Sequence, residues 1–183
     1  MALFASRFPR TDKLASGEES VPRLYLTSAT NAPATGVMRL SYFTAEKTED
    51  ITQIKVYTGA TAAAATPTFC AFGVYTEALN GDLTLVASTA NDTTLFAAAS
   101  TAYTKTFSSG FVKRAGTRYA FASLVVSGAA VPSFASIAPQ AAAEMAIAPK
   151  LSGQITGQSS IPGSITNASI VPSGMFIYCV LLP

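Results

Sequence analysis

The chain has 183 residues, 49% of them hydrophobic, enough for one domain that buries roughly 70% of the surface its unfolded form exposes. Charged residues make up only 12%, against about 25% in an ordinary soluble protein, so Thr, Ser, Ala and Gly must supply much of the surface. The net charge is +2 and there is no histidine, which removes His-assisted serine or cysteine catalysis, imidazole metal sites and the usual titration near neutral pH.

The N-terminus, "MALFASRFPRTDKL", sets a short apolar run before Arg7, Arg10 and Lys13. That is the reverse of secretory-signal order and predicts no secretory address. Residues 1–35 hold Pro9, Pro22, Pro33 and Gly17 among charges and small polar residues, with one apolar patch at "RLYLTS". This predicts a first region, 1–35, that is an extended attachment arm. Its apolar anchors are expected to be Leu3, Phe4 and Phe8, with Arg7 and Arg10 as charged partners. A frayed terminus is the plain alternative.

From Gly36 onward, β-type runs recur with turn signals between them: "GVMRLSYFTA", "ITQIKVYTG", "TFCAFGVYTE", "DLTLVAST", "AYTKTFSS", "RYAFASLVVSG" and "MFIYCVLL". Their Val, Ile, Tyr, Phe and Thr content predicts an all-β fold over 36–183, an antiparallel β-sandwich. The one helical candidate, "QAAAEMAIA", lies between Pro139 and Pro149 and has room for two turns at most. No apolar stretch approaches the ~20 residues that a membrane-spanning helix needs.

Within "GVYTEALNGDLTLVAST" (73–89), Asn80-Gly81 between alternating runs predicts a hairpin with a two-residue type I′ turn. That register sets Val74 opposite Ala87, Thr76 opposite Leu85 and Ala78 opposite Leu83, all facing inward. Tyr75, Glu77, Leu79, Asp82, Thr84 and Val86 then face outward. An outward Tyr75 beside Glu77 and Thr84 suits a glycan platform; an outward Tyr tucked under a loop is the alternative. Glu77 and Asp82 become same-face diagonal neighbours roughly 7–8 Å apart at the backbone. Glycosidase carboxyl pairs lie at about 5–9.5 Å, so the spacing permits sugar cleavage. Nothing beside an exposed turn separates two carboxyl pKa values, however, so solvating carboxylates are the favoured reading.

Cys70 falls in phase with Phe72 and Val74, and Cys179 with Ile177 and Leu181. Two cysteines are too few for a zinc site or a disulfide framework, and buried free thiols are expected; a disulfide needs the two strands to be neighbours. Lys113, Arg114 and Arg118 in "FVKRAGTRYAF" form the densest basic stretch. Three cations at a strand entry read as a solvated edge and predict no nucleic-acid site. The segment 151–174, "LSGQITGQSSIPGSITNASIVPSG", has no sustained period but repeats Ile155, Ile161, Ile165 and Ile170. It is expected to cross the sandwich as a long connection anchored by those isoleucines. Charge is skewed along the chain. Twelve of 22 charged residues lie in the first 50, whereas 119–183 hold only Glu144 and Lys150. The second half is therefore expected to be covered, by copies of the chain or by a larger assembly.

Several segments together, "YFTAEKTEDITQIKVYTG" (42–59), "ATPT" (65–68), "NGDLTLVASTANDTTLF" (80–96), "AGTRYAF" (115–121) and "GQSSIPGSI" leading to "YCVLLP", carry a resemblance over roughly residues 36–183. They resemble the jelly-roll modules of minor tail and other virion-surface proteins of tailed phages infecting actinobacteria. The resemblance implies a Greek-key or jelly-roll sandwich at the particle surface, made in the host cytoplasm and commonly oligomeric, with a trimer favoured. It implies contacts with other tail or capsid proteins, with host-envelope glycan as a further partner, and it transfers no catalytic, cofactor or metal residue. Such modules usually follow a larger anchoring region, whereas 35 residues precede this one, so tail accessory and capsid decoration both stay open. The expected function is a non-enzymatic virion structural protein; a glycan-binding module is the alternative, and a polysaccharide-cleaving tail enzyme a remote third.

Overall fold

A computed structural model describes residues 14, 16–63, 65–137, 141–145 and 147–183. The expected arm anchors Leu3, Phe4, Arg7, Phe8 and Arg10 lie outside the described residues. In chain order the strands are β1 (Glu18–Glu19), β2 (Ser28–Asn31), β3 (Met38–Thr44), β4 (Glu49–Tyr57), β5 (Phe69–Glu77), β6 (Leu83–Ser88) and β7 (Ala102–Lys113). They continue with β8 (Arg118–Val126), β9 (Phe134–Ile137), β10 (Ser152–Ile155), β11 (Ser164–Ile165), β12 (Val171–Pro172), β13 (Phe176–Ile177) and β14 (Cys179–Leu182). The single turn α1 (Ala142–Met145) is the one α-helix among the described residues. The fold is all-β, and every strand pairing is antiparallel.

One sheet runs β1-β14-β4-β7, a second β11-β6-β5-β8-β3-β10-β12, and a third β13-β9-β2. Side-chain alternation builds a core between the first two. Cys70, Phe72 and Val74 of β5 meet Ile51, Ile54 and Val56 of β4 and Cys179 and Leu181 of β14. Phe96 lies within this core, edge-on to Phe72, Tyr103 and Phe134 at centroid distances of 5.8, 5.2 and 5.2 Å. Both cysteines are free and buried, on strands of different sheets. Burial pushes each thiol up to about 12.

The seven-stranded sheet is buried on its other face as well. Met38, Leu40, Tyr42, Tyr75, Ala120, Ala122 and Leu124 form a second core there with Ile165 and Ile170, and Ile155 and Ile161 pack against it. The isoleucine-bearing segment thus lies along this face, contributing the short strands β10, β11 and β12.

Three expectations are corrected. Residues 17–31 were expected within the arm, but they join the sheets: Glu18 pairs with Leu181, and β2 pairs with β9. Gly59 makes room for β2, because a Cβ there would lie 1.8 Å from the Ala29 carbonyl oxygen. Second, "MFIYCVLL" is not one strand. It breaks at Tyr178, whose hydroxyl donates to Glu19 Oε1 at 2.7 Å, so β13 and β14 enter different sheets.

Third, the hairpin loop has three residues. Ala78 N–H donates to the Asp82 carbonyl at 2.8 Å and Gly81 N–H to the Ala78 carbonyl at 2.9 Å. Gly81 takes a positive φ (84°) and Asn80 does not. This is a type I turn followed by a left-handed glycine, locked by Asn80 Oδ1 accepting from Asp82 N–H at 3.1 Å. Val74 still pairs with Ala87, but Tyr75 pairs with Leu85, Thr76 with Thr84 and Glu77 with Leu83. A bulge between Val74 and Tyr75 absorbs the difference. No helix among the described residues is long and apolar enough to cross a membrane.

Candidate functional site

The one-residue shift in β6 rearranges the residues expected to bind or react. Period-two alternation leaves Tyr75 and Glu77 on one face with Leu83 and Leu85, and turns Thr84 to the other. Tyr75 is not outward. It is fully buried in the second core, its hydroxyl donating to the Pro162 carbonyl at 2.7 Å, and burial holds the phenol above its ordinary range. Thr84 is exposed and pairs with Ser164 of β11. The expected glycan trio therefore does not share a surface, and the alternative reading of a tyrosine covered by a loop describes Tyr75.

What the hairpin end does form is a groove of about 680 Å³ between the loop 78–81 and residues 148–150. Arg118 stands on its wall. Its Nε donates to Glu77 Oε2, a terminal amino group donates to the Lys150 carbonyl, and the guanidinium lies 5.1 Å from the Tyr42 ring centroid. Tyr42 is buried with its hydroxyl unpartnered, and burial, then the Glu77 charge, holds its phenol well above the ordinary range against the opposing pull of Arg118. Lys150 Nζ donates to Asn167 Oδ1. Asn167 in turn ties the loop down: its backbone N–H donates to Asp82 Oδ1 at 2.8 Å and its Nδ2 to the Asn80 carbonyl at 2.9 Å. Leu79 stands fully exposed at the lip.

Glu77 and Asp82 are thus each engaged by built-in donors, and the register that made them same-face neighbours is not the one adopted. A glycosidase pair needs one carboxyl protonated, the other ionised, and both aimed at one bond. Neither the placement nor the bonding of Glu77 and Asp82 provides that.

A second cluster escaped the sequence reading altogether. Lys113, expected on a solvated edge with Arg114 and Arg118, is completely buried. Its ammonium contacts Glu18 Oε2, donates to the Lys47 carbonyl at 2.9 Å and lies 4.0 Å from Glu49 Oε2. Glu18 Oε1 accepts from Glu46 N–H at 2.8 Å, and Glu49 Oε1 accepts from Gly17 N–H at 3.0 Å. Glu49 Oε2 has no hydrogen-bond partner. The three basic residues therefore part company: Lys113 goes inward, Arg118 lines the groove, and Arg114 stays exposed. The sequence signal that could have found the cluster is alternation, since Phe107, Phe111 and Lys113 share odd positions on the face of β7 that meets the core. Among the described residues, no group of three or more Cys, Asp or Glu side chains is placed to hold a metal ion. No family model matches the sequence, and no curated protein matches it.

Proposed function

We propose that the chain is a non-enzymatic component of a phage particle, a minor tail or capsid-surface protein that displays a jelly-roll sandwich and attaches through its N-terminal residues. The observation that supports this most is the strand wiring. Eight strands, β1, β3, β4, β5, β6, β7, β8 and β14, numbered one to eight in chain order, fall as 1-8-3-6 in one sheet and 2-7-4-5 in the central part of the other. Every connection but the β5–β6 hairpin crosses between sheets, and the first strand lies beside the last. Two Greek keys folded together give this double-sheet pattern, which recurs in viral capsid and lectin domains. The segments that resemble the phage modules coincide with β4, β6, β8 and β14 of this wiring.

In this reading the protein is made in the host cytoplasm, assembles with other virion proteins as a homo-oligomer, a trimer by resemblance, and acts by adhesion. Host-envelope glycan binding is a second reading, favoured by the groove at the hairpin end, where Arg118, Lys150 and Asn167 present donors beside exposed Leu79.

Mass spectrometry of gradient-purified particles from the phage that encodes the chain tests the first reading. Stoichiometric peptides from this protein are the expected result, and its restriction to the soluble lysate would refute it. Glycan-array binding that is lost in Arg118→Ala would favour the second reading.

A further inference from the structure

We infer that Lys113 and Glu18 are joined in the mature protein by a spontaneous isopeptide bond, with Glu49 as the proton carrier. The site requires a buried amine, a carboxyl group touching it, a donor for the oxyanion, a second acid and the exclusion of water. Each is on hand. Lys113 has no solvent exposure and Glu18 almost none, and their side chains are in contact. Phe43, Ala45 and Tyr119 belong to the apolar core and part-buried Phe111 packs against it, while Glu18 and Phe43 also line a groove of about 470 Å³ through which the released water can leave.

The buried pair is costly as two ions, and passing one proton from the ammonium to Glu18 Oε2 turns it into an amine and a carboxylic acid. The amine nitrogen then attacks Glu18 Cδ. Charge develops on Oε1, where Glu46 N–H already donates at 2.8 Å, the position of an oxyanion donor. Glu49 Oε2, 4.0 Å from the nitrogen and without another partner, takes the proton that the nitrogen sheds. It returns that proton to the Oε2 hydroxyl, the Cδ–Oε2 bond breaks, and water leaves as the carbonyl re-forms. One N–C bond is made, one C–O bond is broken, one water is released, and Glu49 ends as it began. The Lys47 carbonyl, accepting from Nζ at 2.9 Å, holds the nitrogen in place throughout.

The orphaned oxygen of Glu49 separates this from an ordinary buried ion pair. Glu49 is anchored through its other oxygen, which accepts from Gly17 N–H at 3.0 Å and lies 3.6 Å from Lys47 Nζ, and this leaves Oε2 buried, without a hydrogen bond, on the Lys113 side. The product would fasten β1 to β7, the two edge strands of one sheet. The inference does not rest on the phage reading, because the chemistry is internal to the chain.

Intact-mass measurement on the purified, unfolded full chain decides it. The expected mass is that of the sequence less one water. Trypsin should fail to cut after Lys113 and should release a branched peptide joining residues 14–23 to residues 106–114. Glu18→Ala and Lys113→Met should each restore the full sequence mass. Glu49→Gln, which retains the shape of the site, should form the bond about a hundredfold more slowly, so that the uncoupled mass appears first and converts with time. A wild-type chain at its full sequence mass after prolonged incubation in the folded state, or a lost water that maps to any other peptide, would overturn the inference.

Discussion

Gly59→Ala tests whether residues 28–31 belong to the body or to a detachable arm. An ideal Cβ at position 59 falls 1.8 Å from the Ala29 carbonyl oxygen, 2.6 Å from its carbon and 2.8 Å from Ser133 Oγ. Two of these atoms are backbone, so β2 has to retreat by roughly 1.5 Å or more to restore van der Waals contact. The retreat breaks the Ala60 N–H bond to the Ala29 carbonyl at 2.6 Å and the Ser133 hydroxyl bond to the same carbonyl at 2.9 Å. It also disturbs the Gly59 N–H bond to the Ser133 carbonyl at 2.7 Å. Three hydrogen bonds at about 1 kcal/mol each give a loss of about 3 kcal/mol. For a chain of this size that is a fall in Tm of about 6–12 °C. The control is Gly128→Ala, where an added Cβ meets nothing within 4 Å and Tm should move by no more than about 2–4 °C in either direction. Thermal unfolding followed by circular dichroism measures both, and hydrogen exchange reports whether amides 28–31 lose protection in the Gly59 variant. Equal melting of the two variants would refute the reasoning, because β2 would then contribute nothing and the arm would extend through residue 35.

The buried outer face yields a second test: Ile170→Ala should cost about 2–4 kcal/mol by thermal unfolding and raise dye binding, since Ile170 seals the second core from above Gly153. Tyr75→Phe strands the Pro162 carbonyl and should cost about 1 kcal/mol, while glycan-array binding, if any is measured, stays unchanged because Tyr75 has no surface. Cys70 and Cys179 should resist alkylation at pH 8 in the folded protein and react fully once it is unfolded, because burial lifts both thiols to about 12. The Asp92 carboxyl is held down at about 2, chiefly by hydrogen bonds from Lys105 and then Thr94. Its folded pKa lies below the ordinary 3.8, so its contribution is complete above that value and is lost as pH falls toward about 2. Asp92 is partly exposed, so Asp92→Asn should flatten that acid limb by less than about 1 kcal/mol in denaturant titrations across pH.

The strands readable in advance are those whose residues bury one face by themselves. β3, β4, β5, β6 and β8 lie within the alternating aromatic and β-branched runs, each bounded by a turn signal. β1 consists of two glutamates and no periodicity marks it. Its place is set by what it meets, the backbone of β14 on one side and buried Lys113 on the other. β11 and β12 are likewise two residues each, in Ser- and Pro-containing chain, and they are strands because β6 and β10 present free edges to them. The isoleucines beside them were legible as anchors because they recur as large apolar side chains among Gly, Ser and Pro, whereas the burial of Ser152 and Ser173 and the exposure of Leu151 and Val171 were not. The face the isoleucines cover was not legible either, since alternation marks two sides of a sheet without telling which one a distant segment will occupy.

The candidate site turned on a smaller quantity, the length of one turn. Asn80-Gly81 supports a two-residue loop and also the second half of a three-residue one, and local propensity separates the two poorly. Tertiary contact favours the longer loop. With Leu79 included, Asp82 reaches the backbone of Asn167 and the Asn80 carbonyl accepts from the Asn167 side chain, so the crossing segment and the hairpin fix each other. That register also puts Leu83 and Leu85 under the isoleucine-bearing segment, whereas the two-residue register turns Thr84 and Val86 to that face instead. Burying Leu83 fully and Leu85 in part, in place of Thr84 and Val86, favours the longer loop. The same step parts Glu77 from Asp82 and leaves Glu77 and Arg118 at the groove as the polar pair that a ligand could meet, whereas Tyr75 is inside because the isoleucine-bearing segment covers the face of β5 that carries it.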